Sequence, residues 1–215
     1  MDALTPDLTP IFPLELVVYP GNELNLHIFE PRYKQLINDS AETKQPFGIP
    51  SVVNRAIGNL GTLVELVEII NVEPNGEMDI RTKGLKVFRI EKLAKLYPGK
   101  LYGGAWLEYP ANHPTGDLAV MRTILAGLKK LHAVLNVEKP FRKVEEGLTS
   151  YEVAHHLGLT LQQEYELLGL FDESERQEYL RRHLEKVLPV VAEMERLKEK
   201  VKLNGHFRNV TGFGP

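Results

Sequence analysis

Apolar and polar residues alternate along the first thirty positions. Phe12, Leu14, Leu16 and Val18 fall on even positions, and Leu24, Leu26 and Ile28 repeat the rhythm. Strands with one face in a core require this period of two. From Leu60 to Val72 apolar residues occupy both parities: Leu63, Val67 and Ile69 against Leu66, Ile70 and Val72. That predicts a strand covered on both faces. Glu73-Pro74-Asn75-Gly76 then reads as a hairpin turn, with Pro presetting φ and Gly free to take positive φ. In the return strand the apolar set changes parity from Met78 and Ile80 to Leu85, Val87 and Phe88. A parity change beside Gly84 predicts a β-bulge. A last strand is expected over 101–109, with Tyr102 and Trp106 on one accessible face. A short helix interrupts this half. Pro31 suits its first position, Tyr33, Leu36 and Ile37 form its apolar stripe, and it ends near Asn38-Asp39-Ser40.

The second half changes period. Leu118, Met121, Leu125, Leu128, His132 and Leu135 follow steps of three and four, as do Leu180, Leu184, Val187, Val191, Met194, Lys198 and Val201. Such stripes pack within a bundle or against a second copy, so a homodimer remains open. Shorter helices are expected near Thr149-Ser150, after Thr160 with Gln163 at capping-box spacing, and from Asp172 with Glu175 at the same spacing. The last helix should run from about Ser174 to Leu203, kink at Pro189 and stop at Asn204-Gly205, leaving His206 and Phe207 in a docked tail. Between the halves, Tyr109-Pro110-Ala111-Asn112-His113-Pro114-Thr115-Gly116-Asp117 opposes both helix and sheet. The expected division is a β domain over 1–110 and a helical domain over 111–215, an α+β chain.

Composition narrows the chemistry. The 215 residues contain no Cys, which excludes disulfides, thiolate catalysis and Cys-bound zinc. The N-terminus has no basic and apolar signal-peptide regions, and no run approaches the roughly 18 apolar residues of a membrane span. A cytoplasmic protein without membrane attachment is expected. No Gly-x-x-x-x-Gly-Lys-Ser/Thr loop is present to cradle phosphates. The four serines, Ser40, Ser51, Ser150 and Ser174, lie outside any nucleophile-elbow motif. Glu152 and His155-His156 approach metal-ligand spacing, but no second Glu-x-x-His accompanies them, and His132 lies in an apolar stripe. The expectation is therefore a non-enzyme without cofactor or metal. Net charge is −3, and the basic set Arg81, Lys83, Lys86 and Arg89 is flanked by Glu65, Glu68, Glu73, Glu77 and Glu91. This argues against a nucleic-acid surface, which needs an unneutralised basic patch. What remains is apolar display by Tyr19, Phe29, Tyr102 and Trp106, suited to an extended or unfolded chain.

Several segments carry a family resemblance. Ile11-Phe12-Pro13-Leu14, Val17-Val18-Tyr19-Pro20-Gly21 and Leu24-Asn25-Leu26-His27-Ile28-Phe29-Glu30-Pro31-Arg32-Tyr33 resemble the opening of the Lon protease N-terminal domain. The likeness continues through Ile57–Glu65 and Ile80–Ile90 and ends at Tyr109-Pro110, covering about 100 residues. It implies a PUA-like pseudo-barrel of about six strands with one short helix, followed by a C-terminal helical bundle. It also implies binding of unfolded or partly folded protein segments; the expected peptide contacts are Tyr19, Phe29, Arg32, Tyr33, Tyr102 and Trp106. The ATPase and protease motifs of that family are missing here. The expected role is thus recruitment, as an adaptor or holdase alongside a separate ATPase or protease, and RNA binding by the barrel is the runner-up.

Overall fold

The computed structural model of the chain describes residues 8–208. Six strands form one sheet: β1 (Thr9–Ile11), β2 (Glu23–Ile28), β3 (Phe47–Val53), β4 (Ala56–Val72), β5 (Met78–Ala94) and β6 (Gly103–Glu108). Their order is β2-β5-β4-β3-β1-β6, and a further β5–β6 pairing closes five of them into a barrel. β1 runs parallel to β3 and every other pair is antiparallel, so the barrel is mixed. β2 and β6 take opposite ends of β5, and β2 stands outside the closed ring.

The alternation over 12–18 predicted a strand there, yet only Thr9–Ile11 pairs continuously. Beyond it the chain stays extended, with Phe12 N donating to Gly48 O and Leu14 N to Pro50 O. Strand β3 carried no alternation signal because it is buried at five consecutive positions and contains Pro50, where its register shifts.

The long β4–β5 hairpin turns at Gly76, at φ 78°, with its N–H donating to Glu73 O. The bulge expected beside Gly84 is present, since pairing passes from Lys86 to Gly84 and skips Leu85. A side chain at Gly84 would strike the Tyr19 carbonyl, so the close approach of the 19–21 loop requires glycine there.

The both-parity pattern in β4 has a different cause from the one predicted. Pairing skips Val67, between Leu66 and Glu68, and Ile70, between Ile69 and Asn71. Each extra residue resets the alternation, so Leu66 and Ile69 both reach the core while Val67 and Ile70 are exposed. The strand is not covered on both faces beyond Val64.

Helix α1 (Pro31–Thr43) crosses the sheet and buries Tyr33, Leu36, Ile37 and Ser40. It runs past Ser40 to a left-handed Lys44, whose N–H closes onto Ser40 O. Its apolar face joins Phe12, Val18, Ile28, Phe47, Ile49, Val64, Met78 and Ile80 in one core.

The chain divides into two units. One holds the described residues up to Pro114 together with Gly158–Asp172, and the other holds Thr115–Leu157 and the chain from Glu173. The return of 158–172 to the barrel unit has no counterpart in a single boundary at 110/111. It brings α4 (Leu161–Leu168), whose Tyr165 hydroxyl donates to Asn59 Oδ1 at 2.7 Å and accepts from Leu60 N at 3.1 Å.

In the second unit, α2 (Leu118–Leu135) starts at Asp117, whose carboxylate accepts from Ala119 and Val120 N–H. It buries Met121, Ile124, Leu128, Leu131 and His132, while Leu118 and Leu135 of the predicted stripe are exposed. A 3₁₀ turn (Val144–Glu146) and α3 (Ser150–Ala154) follow. Helix α5 (Glu173–Arg208) continues through Pro189 and past the expected stop at Asn204-Gly205. The side chains of Lys198, Val201, His206 and Phe207 lie outside the described residues. Leu180 and Leu184 are buried, but Val190, Met194 and Leu197 are exposed. Among the described residues no helix is long and apolar enough to cross a membrane.

Candidate functional site

The residues expected to contact a peptide separate into inward and outward groups. Tyr19 is wholly buried, and its hydroxyl donates to Glu164 O at 3.1 Å. Tyr33 is buried with its ring 3.9 Å from that of Phe12. Tyr102 is buried and donates to Asp39 Oδ2 at 2.7 Å. These three hydroxyphenyl groups line core and loop contacts instead of an outer face, so the expectation that Tyr102 and Trp106 share an accessible face is corrected. Trp106 is half-buried with Lys92 Nζ 5.1 Å from its ring centre. Arg32 is exposed; both its Nε and an Nη donate to Glu30 Oε2, and its guanidinium lies 4.8 Å from the Tyr33 ring centre. Phe29 is 59% exposed.

Phe29 sits at one end of a three-stranded region that projects beyond the closed barrel. Register places Ile28, Met78 and Val72 in one row across β2, β5 and β4, with Leu26, Ile80 and Ile69 in the next. One face of these rows packs on α1 and the main core. The opposite face is polar. His27 Nδ1 meets Asp79 Oδ1 at 2.8 Å and His27 Nε2 meets Glu77 Oε2 at 3.3 Å; the hydrogen bond with Asp79 leads in raising the imidazole pKa. Arg81 pairs with Glu68 and lies 3.9 Å from Glu23. Exposed aliphatics gather along the outer side of β4, where Val67, Ile70 and Val72 are 47%, 53% and 59% exposed. Beyond Val64, β4 pairs with β5 on one side, and among the described residues no strand pairs with its other side. Sequence reasoning had assigned Val67 and Ile70 to a covered strand. The signal that identifies them is the three-residue repeat Glu65-Leu66-Val67, Glu68-Ile69-Ile70, Asn71-Val72, which fits neither a plain strand nor a helix.

A second feature of the same unit is a cavity of about 740 Å³ beside the C-terminal half of α1, lined by Thr9, Leu36, Asp39, Lys100, Tyr102 and Tyr109 among others. Lys100 Nζ lies 2.7 Å from Asp39 Oδ2. Burial alone would raise the Asp39 pKa, but the hydrogen bonds from Lys100 and Tyr102 outweigh it and hold the carboxyl below its ordinary range. Burial, then Asp39, push the Tyr102 hydroxyl well above the usual phenol range. Lys100, Asp39 and Tyr102 thus form one connected ion-pair and hydrogen-bond group on the cavity wall.

In the helical unit, Glu173 and Arg176 are both buried, with Nε 2.9 Å from Oε2, and Glu173 also accepts from Ser150 N at 2.7 Å. This satisfied pair joins the start of α5 to α3. Glu152, considered as a ligand beside His155-His156, accepts from Arg142 at 2.5 Å and from Thr149 N at 2.9 Å, completing a capping box. His156 meets Lys139 Nζ at 2.7 Å and packs edge-on to Phe141 and buried His132. Burial, then Lys139, His132 and His155, lower its pKa to about 4. Among the described residues no three His, Asp or Glu side chains are grouped to hold a metal ion.

A closed five-stranded mixed barrel with one added strand, a helix across its core and a helix-rich second unit define an α+β domain of the kind found at the N-terminus of Lon proteases. The model of the ATP-dependent protease La (LON) substrate-binding domain family matches residues 9–186, and the chain belongs to that family. A Lon N-terminal domain protein from Xanthomonas campestris superimposes with a TM-score of 0.60 at 23% identity, covering 81% of this chain and 96% of that one. The N-terminal domain of a Mycobacterium avium complex Lon protease gives a TM-score of 0.60 at 14% identity, covering 83% and 98%. These likenesses establish the fold. No curated protein matches the sequence.

Proposed function

We propose that this chain is a non-catalytic binding module for unfolded or apolar polypeptide segments, acting as an adaptor or weak holdase. Membership of a substrate-binding domain family supports the reading. The observation that carries it is the exposed apolar set of Val67, Ile70 and Val72 on β4 and Phe29 just after β2, since apolar surface outside a core gains free energy when a partner covers it. In this reading it works in the cytoplasm alongside a separate ATPase or protease. The exposed Val190, Met194 and Leu197 of α5 are consistent with pairing of two copies, which light scattering on a sizing column reads directly.

The test is association with a permanently unfolded protein, such as reduced carboxymethylated α-lactalbumin. Binding with a Kd of order micromolar (about −8 kcal/mol) is expected, with suppressed aggregation of a reduced client. Its affinity should change little with salt, whereas phosphate-directed RNA binding would fall steeply. No association at large protein excess overturns the reading.

A further inference from the structure

Resting on that reading, we propose how the client is held: as an added strand on the outer edge of β2, in the form of a six-residue extended segment with aliphatic and basic residues alternating. Among the described residues, two sheet edges are left unpaired after the barrel closes: the side of β4 away from β5 beyond Val64, and the outer side of β2. They differ in one respect. The β4 edge is interrupted by bulges at Val67 and Ile70, which break its row of donors and acceptors and blunt it against pairing. The β2 edge has no such break. Its pairing with β5 runs residue for residue from Glu23–Lys83 to Ile28–Met78.

The direction of the backbone groups follows from two hydrogen bonds. Asn22 O accepts from Gly84 N at 2.9 Å, and Leu24 O accepts from the Thr82 hydroxyl at 3.1 Å. Even-numbered residues therefore turn their backbone toward β5. By the alternation of an antiparallel pair, Glu23, Asn25 and His27 turn N–H and C=O outward, a ladder of three donors and three acceptors.

Side chains define the segment that fits. Leu24 and Leu26 belong to the core face yet remain half-buried, because among the described residues no strand lies beyond them. Aliphatic residues at alternate client positions would cover them, ending against Phe29. On the other face Glu23 is exposed; it stands opposite Lys83 in the register and lies 3.9 Å from Arg81, which Glu68 also engages. Glu77 and Asp79 flank His27 on that face. The intervening client positions therefore favour Lys or Arg.

The probe is an end-capped peptide of alternating Lys and Val, eight residues long, carrying a fluorophore and titrated with the full chain. Asn25→Pro removes one outward N–H without touching the β5 ladder, a substitution that edge strands tolerate. We expect it to weaken peptide binding about tenfold while leaving the far-UV circular dichroism spectrum native. The same peptide N-methylated on the residues facing β2 should lose about tenfold or more on the unaltered protein, so the decision does not depend on the variant folding. Leu96→Ser, at an exposed position just after β5 and away from β2, should leave peptide affinity within about twofold. Equal binding of the plain and N-methylated peptides overturns strand addition, as does unchanged peptide binding by a folded Asn25→Pro. Strand addition alone also falls if carboxymethylated α-lactalbumin binds and the peptide does not. If neither binds, the proposed function falls with it.

Discussion

Phe88 is completely buried, and its ring fills the space in front of two glycines on neighbouring strands. A methyl at Gly48 would lie 3.0 Å from the ring Cε1 and 3.4 Å from Ile11 Cγ2; one at Gly61 would lie 2.5 Å from the ring Cζ and also press on Ile49 O and the Pro50 Cα. Phe88→Ala should cost about 4 kcal/mol through lost burial and the cavity left behind. Gly48→Ala alone should cost about 1–2 kcal/mol, because the ring has no room to retreat. Together they should cost about 1–2 kcal/mol less than the sum, since the new methyl enters the space the ring vacated. Gly61→Ala should gain no comparable relief from Phe88→Ala, because its backbone obstacles stay in place. Trp106, the sole tryptophan, lies in β6 and reports the barrel unit by fluorescence during urea unfolding. Additivity of Phe88→Ala and Gly48→Ala within about 0.3–0.5 kcal/mol would refute the shared-space argument, as would equal relief at Gly61.

Further outcomes follow from other contacts. Tyr165→Phe strips Leu60 N of its hydroxyl acceptor, so amide exchange at Leu60 should quicken and the barrel unit lose about 1–2 kcal/mol; unchanged exchange would contradict the bond. The pKa of His27 is raised, so its bond with Asp79 contributes below about pH 6.5 and is lost as pH rises through the folded value. An NMR titration should show a His27 midpoint above 6.5 that falls in Asp79→Asn, and identical midpoints would remove Asp79 as the cause. For His156 the sign is opposite: folding keeps it neutral, so stability present above about pH 6.5 is lost as pH falls toward 4. His156→Gln should flatten that part of the acid-melting curve followed at 222 nm, and parallel curves would argue otherwise. Phe29→Asp should weaken binding of the unfolded protein about tenfold at unchanged melting temperature, because the ring is exposed; retained affinity would remove Phe29 from the surface.

The α+β character, the hairpin turn and the bulge beside Gly84 were readable because each rests on local chemistry: period, φ preference and a parity change. Helix α1 was readable at its start, where Pro31 sits, and not at its end, where a left-handed Lys44 gives no compositional sign. Strand β3 was invisible because a wholly buried run lacks alternation. At the candidate surface, aromatic identity proved a poor guide to exposure. Tyr19, Tyr33 and Tyr102 each have an apolar ring, which the core accepts; Tyr19 and Tyr102 also place their hydroxyls on internal acceptors. Val67 and Ile70 pointed outward for a reason that two-residue alternation cannot express. The outward backbone of β2 depends on which parity bonds to β5, and only three-dimensional pairing decides that.

The return of Gly158–Asp172 to the barrel unit bears on how the protein is made. During synthesis the first 114 residues leave the ribosome without α4, so the Tyr165 bonds to Asn59 and Leu60 must wait. At about 5–20 residues per second, Asp172 follows Pro114 by roughly 3–12 s. For that interval the nascent barrel lacks one of its own pieces while the intervening helices are already emerging. Its completion is thus timed by translation of a segment that belongs, in the linear order of the message, to its neighbour.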